Sequence, residues 1–223
     1  MTAVSAPARP SGTGRFAGLR PKTLLFAVIA AMYVYVLWTN ERLLFNHADP
    51  EWQHIATFKW MLLPHAMVAS LALFLGPLQF SDRLRRRFAK LHRVLGYFYV
   101  TGVFVGAPIG AYIEYFEERL GEARSFTIAT ATDGTIWIFA TATALYFIRR
   151  GKVEQHRRWM TRSFACSLIF LEVRMIQTLF SIPADKVETV LWCCVAAAFP
   201  LADLVLQVEE SLRQRARQAR AVS

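Results

Sequence analysis

Cysteine is scarce in this 223-residue chain: Cys166, Cys193 and Cys194 are its three thiols, all within apolar runs and none in a C-x-x-C pair. That excludes a disulfide framework and reads the thiols as small apolar fillers. Charge is scarce as well, at 19% of residues against about 25% in an ordinary soluble domain. No Walker loop, G-x-G-x-x-G, H-E-x-x-H or G-x-S-x-G occurs, so the usual nucleotide, zinc-protease and serine-hydrolase signatures are absent. What is present is apolar: 55% hydrophobic and 13% aromatic residues, yet 26 Lys+Arg stand against 16 Asp+Glu for a net charge of +10. A chain both greasy and basic has to keep the two apart, as a multi-pass membrane protein does.

Six apolar stretches approach the length of about 20 residues that a helix needs to cross a bilayer. They are Thr23–Phe45, Lys59–Phe80, Val94–Ile113, Phe126–Ile148, Thr161–Ile182 and Val187–Leu206. Residues 1–20, rich in Ala, Pro, Ser, Gly and Arg, read as a flexible tail. No small-residue cleavage site follows the first run, which argues against a secretory signal. The expected organisation is a tail over 1–20, a transmembrane domain over 21–208 and a basic tail over 209–223. Gly96, Gly102, Gly106 and Gly110 recur along the third stretch at spacings that favour close helix packing in lipid. Pro64, Pro108 and Pro200 are expected to bend their helices.

Connector charge tests the count independently. Arg9 to Lys22, Arg83 to Arg93, Arg149 to Arg162 and Arg213 to Arg220 hold 20 of the 26 basic residues, in alternate connectors. Acids fill the others: Glu41, Asp49 and Glu51, then Glu114, Glu117, Glu118 and Glu122, then Asp185 and Glu188. Basic connectors remain in the cytoplasm. The expectation is therefore an all-α, polytopic bundle of six transmembrane helices in a bacterial plasma (inner) membrane, with both termini cytoplasmic. The topology accounts for the arginine-rich loops without invoking nucleic acid, and the partner it demands is the lipid bilayer.

Charges inside apolar runs are costly and lean functional. His65, Asp133, Glu172 and Arg174 fall at overlapping depths, about 9–15 Å from the outer end of their helices. Glu172 and Arg174 are two residues apart and point to different sides. The simplest arrangement pairs Arg174 with Asp133 and sets Glu172 near His65, as a polar pocket or a buried lock between helices. A second constellation lies at the inner face, where His92 opens one helix and His156 precedes another, flanked by Arg93, Arg157 and Arg158. Two neutral imidazoles on different helices suit a bis-histidine haem b, with Arg93 and Arg157 toward its propionates; the plainer reading is headgroup contact. His47 and His54 read as solvated loop residues, with a weak outer metal site as the alternative. Trp38, Trp60 and Trp159 suit an interfacial belt, Asp203 an interfacial position. The threonines of the fourth stretch can bond back to their own backbone.

Three segments carry a family resemblance: "GPLQF" at Gly76–Phe80, "LHRVLGYFYV" at Leu91–Val100 and "HRRWMTRSF" at His156–Phe164, followed by Arg174. They resemble the bacterial membrane family called domain of unknown function 2306, over roughly Lys59 to Phe180. The resemblance implies a multi-helix membrane protein and no settled activity. Where that family usually has an arginine, this chain has Tyr97, which removes one inner-face cation. A fainter likeness to the cytochrome b561 type is analogy only.

Three functions fit these residues. One is a haem- or quinone-associated redox protein, using His92 and His156 as ligands or His65 beside a quinone. Another is a small-molecule transporter or binding module built on the outer pocket. The last is an accessory subunit that assembles with a membrane complex or as a homo-oligomer, its polar residues structural.

Overall fold

The computed structural model describes residues 21–39 and 50–222, which form eight helices and no strand. These are α1 (Pro21–Thr39), α2 (Pro50–Ala56), α3 (Lys59–Gln79), α4 (Asp82–Arg87), α5 (Ala89–Leu120), α6 (Arg124–Arg149), α7 (Val153–Leu179) and α8 (Ala184–Val222). The all-α expectation holds. The tail over 1–20, residues 40–45 of the first apolar run, and His47 lie outside the described residues, as does the side chain of His54.

Local chemistry sets the helix ends. Ser81 caps α4, its Oγ accepting the Leu84 N–H at 3.2 Å, and Asp82 in the first turn pairs with Arg85 at 2.7 Å. Gly121 stops α5 in the left-handed region at φ 116°, its N–H bonded to the Glu118 carbonyl at 3.1 Å. Pro64, Pro77, Pro108 and Pro200 all sit within helices, which membrane helices tolerate when neighbours satisfy the freed backbone groups. The basic segment after 208 continues α8 without a break to Val222.

Helices α3, α5, α6 and α7 pack in a closed ring, each against the next, with α7 returning to α3. α5 and α7 are therefore diagonal. α8 covers α6 and α7, and α1 lies on α7, where the Tyr33 hydroxyl donates to the Leu73 carbonyl of α3. Short connectors make ring neighbours antiparallel, giving the bundle one arginine-rich end and one glutamate-rich end. The glycine row of α5 faces α3. A Cβ on Gly102 would lie 2.9 Å from both the Val68 carbonyl oxygen and the Ala72 nitrogen, and one on Gly106 3.4 Å from Ala69. The helices meet backbone to backbone, as the spacing in the sequence implied.

The outer surface is apolar. Val34, Met67, Tyr97 and Phe139, from four helices, are 68%, 72%, 73% and 59% exposed, an exterior that belongs against lipid rather than water. Three helices, α3, α5 and α8, are long and apolar enough to cross a membrane, and the apolar part of α1 is shorter. The most polar of the long helices, α7, touches four others, and α6 touches three. Charged and hydroxyl groups on these two helices can face protein instead of hydrocarbon.

Candidate functional site

The three sequence segments singled out above meet inside the ring, toward its arginine-rich end. Gly76 of the first lies under Phe164 of the third, so closely that a Cβ would fall 2.3 Å from the ring. Phe80 and Phe164 meet with their rings tilted, 5.5 Å between centroids. Gln79 reaches the second segment, its Oε1 3.5 Å from the space a Gly96 Cβ would take. Tyr99 closes the triangle across the diagonal, its hydroxyl 2.8 Å from Ser163 Oγ.

Tyr99 belongs to a ring of hydrogen bonds whose direction follows from counting protons. Thr141 Oγ1 spends its one proton on the Trp137 carbonyl at 2.8 Å, so it accepts from Ser163 Oγ at 2.7 Å. Ser163, having given its proton away, accepts from Tyr99 at 2.8 Å. The indole Nε1–H of Trp137 donates to the Tyr99 oxygen at 3.5 Å. The circuit runs from the Trp137 indole through three hydroxyls to the Trp137 backbone. Tyr99, Thr141 and Ser163 have no exposed surface. Every proton finds an acceptor, as a buried network requires.

His92 and His156 stand two turns nearer the arginine-rich end on the same two helices. Each is seven residues before its network partner, Tyr99 or Ser163, or about 10 Å of rise. Seven residues make nearly two full turns, so each histidine lies on almost the same face of its helix as its network partner. The charge of His156 is near enough to bear on His92. His156 Nδ1 donates to the Ala144 carbonyl at 2.9 Å, which leaves Nε2 as the lone-pair nitrogen. Burial lowers the pKa of this imidazole against the opposite pull of the Ala144 bond, so the ring is neutral at pH 7. Two buried nitrogens at this end have no hydrogen-bond partner, His92 Nδ1 and Gln79 Nε2. Natural proteins leave few such groups unsatisfied.

The arginines beside the histidines differ. Arg157 is turned toward α8, pairing with Glu154 at 3.1 Å and Glu209 at 3.6 Å. Arg93 is exposed and, among the described residues, its hydrogen bond is to the Ala89 carbonyl, at 3.4 Å. Arg162 pairs with Asp203 at 2.9 Å and covers the Trp159 ring at 4.7 Å. Asp203 is thus a partner for α7, where its position in the sequence pointed only to an interfacial residue.

The other end departs from the expected arrangement. His65 is seated on the glycine row, with Nδ1 donating to the Gly106 carbonyl at 3.0 Å and Cε1 2.9 Å from the space a Gly110 Cβ would take. Asp133 Oδ1 is buried with no hydrogen-bond partner, and the charge that reaches Asp133 is that of Glu172. The Arg174 guanidinium lies over the Phe170 ring at 5.4 Å, and its field reaches Glu114. The expected pairing of Arg174 with Asp133 and Glu172 with His65 is therefore replaced by two neighbouring acids and a histidine held by backbone. Shared depth places groups at one level but leaves open which way round its helix each one points. Among the described residues no group of three His, Cys, Asp or Glu is placed to hold a metal ion, and the three cysteines are free.

Residues 62–206 match the family model described as "Predicted membrane protein (DUF2306)". The chain belongs to this family. The match continues past the resembling segments into α8, so it takes in the helix that covers α6 and α7. No curated protein and no solved structure matches the chain. Within this DUF2306 domain, sequence reasoning passed over Tyr99, Trp137 and Ser163, and read Thr141 only as a backbone-bonding threonine. Two of the four stood in the quoted segments, and the spacing of Tyr99 from His92 equals that of Ser163 from His156. That equality was the signal available.

Proposed function

We propose that this DUF2306 protein is a six-pass bacterial inner-membrane redox protein, with both termini in the cytoplasm, that holds a haem b between His92 and His156. One observation carries the reading: two histidines on diagonal helices, in register and within electrostatic reach, with His156 Nδ1 fixed by a backbone carbonyl. Iron-ligating imidazoles use this same outer bond to set tautomer and ring plane. The residues fit the group. His156 offers Nε2, His92 has a buried nitrogen with no partner, and Ala140 and Ala144, both fully buried, keep the α6 wall thin. Arg157 is committed to glutamates, while Arg93 makes no ion pair among the described residues and is the cation able to meet a propionate. The hydroxyl circuit below holds α5, α6 and α7 in register and excludes water from that level. When bound, the haem would supply one-electron transfer at the arginine-rich face.

The test is the visible spectrum of the full chain, extracted in detergent from cells supplied with haem. A Soret band present in the parent and in His65→Ala, and lost in His92→Ala and His156→Ala, is the expected result. A colourless parent, or pigment surviving the double histidine variant, refutes the reading. Asp133 favours a second reading, an acid-lined binding pocket at the glutamate-rich end, because its buried Oδ1 has no partner. A colourless protein that binds small cations only with Asp133 intact would select it.

A further inference from the structure

The long α8 extends past the apolar part of the bundle and lies alongside the start of α7. Between them is a cavity of about 220 Å³ lined by Arg157, Arg158, Arg213 and Arg217, with Glu154, Glu210 and Gln214 beside them. Leu206 lines one edge of it. That residue ends the last apolar run, and Arg217 stands eleven residues further on, about 16 Å along the helix. The cavity therefore begins where the apolar surface stops.

Ion pairs tie the walls together. Arg157 and Arg158 share Glu154 at 3.1 and 3.5 Å, Arg158 reaches Glu210 at 3.3 Å, and Arg213 holds Glu209 at 2.8 Å. The pairing is incomplete. Arg217, which lines the cavity, makes no ion pair among the described residues. A network that served only to clip α8 to α7 would need neither the cavity nor this uncommitted guanidinium. Guanidinium forks converging on a space of this size at an apolar boundary match a tetrahedral, multiply accepting anion better than a lone carboxylate.

We propose that the α7–α8 cleft binds a phosphate group, through Arg217 with Arg157, Arg158 and Arg213 at its sides. A phospholipid headgroup reaching down from the adjoining leaflet and a soluble phosphate share this chemistry. The site is separate from the histidine pair, and its binding does not depend on haem.

The experiment uses the full chain in detergent, with two probes. One arm adds phosphatidylglycerol, with phosphatidylcholine as the control, and reads lipid retention by native mass spectrometry and the melting temperature. The other adds inorganic phosphate against chloride at equal ionic strength and reads the melting temperature. The variants are Arg217→Gln, which leaves every ion pair above intact, and Arg157→Lys, which keeps the charge and removes the guanidinium fork from the cavity wall. A preference for phosphatidylglycerol that falls about fivefold in each variant supports the site with lipid as its source. A rise in melting temperature with inorganic phosphate, lost in the same variants, supports it with a soluble source. If neither probe binds above its control, or the variants bind as well as the parent, the proposal is overturned. Should Arg157→Lys fail to fold, Arg217→Gln alone decides.

Discussion

Two buried polar clusters of the bundle are built in opposite ways. Toward the arginine-rich end, three hydroxyls, an indole and His156 are matched donor to acceptor, although His92 Nδ1 and Gln79 Nε2 near them have no hydrogen-bond partner among the described residues. Toward the glutamate-rich end, Asp133 lies within reach of another acid with an oxygen unsatisfied, while Arg174 is drawn aside to Phe170 and Glu114. Hydroxyls both donate and accept, so they can close a circuit on themselves. Carboxylates cannot, and need a partner from another element. The first kind of network stabilises by being complete; the second remains free to take up a proton or a ligand.

The contrast predicts effects of opposite sign. Ser163→Ala removes the one hydroxyl that both accepts from Tyr99 and donates to Thr141, leaving Ser167 as the remaining hydroxyl beside the buried phenol. It is expected to cost about 1–3 kcal/mol, read as a lower thermal midpoint in detergent; an unchanged midpoint would mean that the circuit is incidental. Asp133→Asn replaces a poorly satisfied acid with a neutral isostere. It is expected to shift stability by less than about 1 kcal/mol, toward greater stability if at all. A loss as large as that of Ser163→Ala would reveal a partner for Asp133 and erase the difference between the ends.

The smallest effect is the pH dependence contributed by His156. Its pKa is lowered in the folded protein from the ordinary 6.5, chiefly by burial. The unfolded chain therefore takes up this proton first on acidification. His156 contributes fully to stability above pH 6.5, and that contribution is lost as the pH falls through 6.5 toward the folded value. His156→Gln should flatten this part of the stability profile. An unchanged slope would mean that His156 is solvated and its bond to Ala144 is not maintained.

Much of this was legible in the residues. Gly102, Gly106 and Gly110 announced a close contact by spacing alone, because four-residue steps return to one face of a helix. Thr132, Thr135 and Thr143 bond back to Ile128, Ala131 and Phe139 at 2.7–2.8 Å, as expected of threonines in such a helix. Thr141 makes the same bond and additionally accepts from Ser163, which no local pattern distinguishes. His65 and Asp133 stood out in the sequence as polar residues within apolar runs, but their neighbours were not readable. A partner depends on the rotation of one helix about its axis relative to another, and that is fixed by packing across the whole interface.

Composition and the order of apolar and charged segments determined that this chain is helical and membrane-embedded, because a backbone in hydrocarbon must satisfy its own hydrogen bonds and charge cannot enter cheaply. They also marked the segments that matter. Tertiary structure alone decided that those segments converge, that Tyr99 meets Ser163, and that Arg157 turns to α8. Such contacts depend on how the helices pair and rotate about their axes, both of which arise only when the bundle packs.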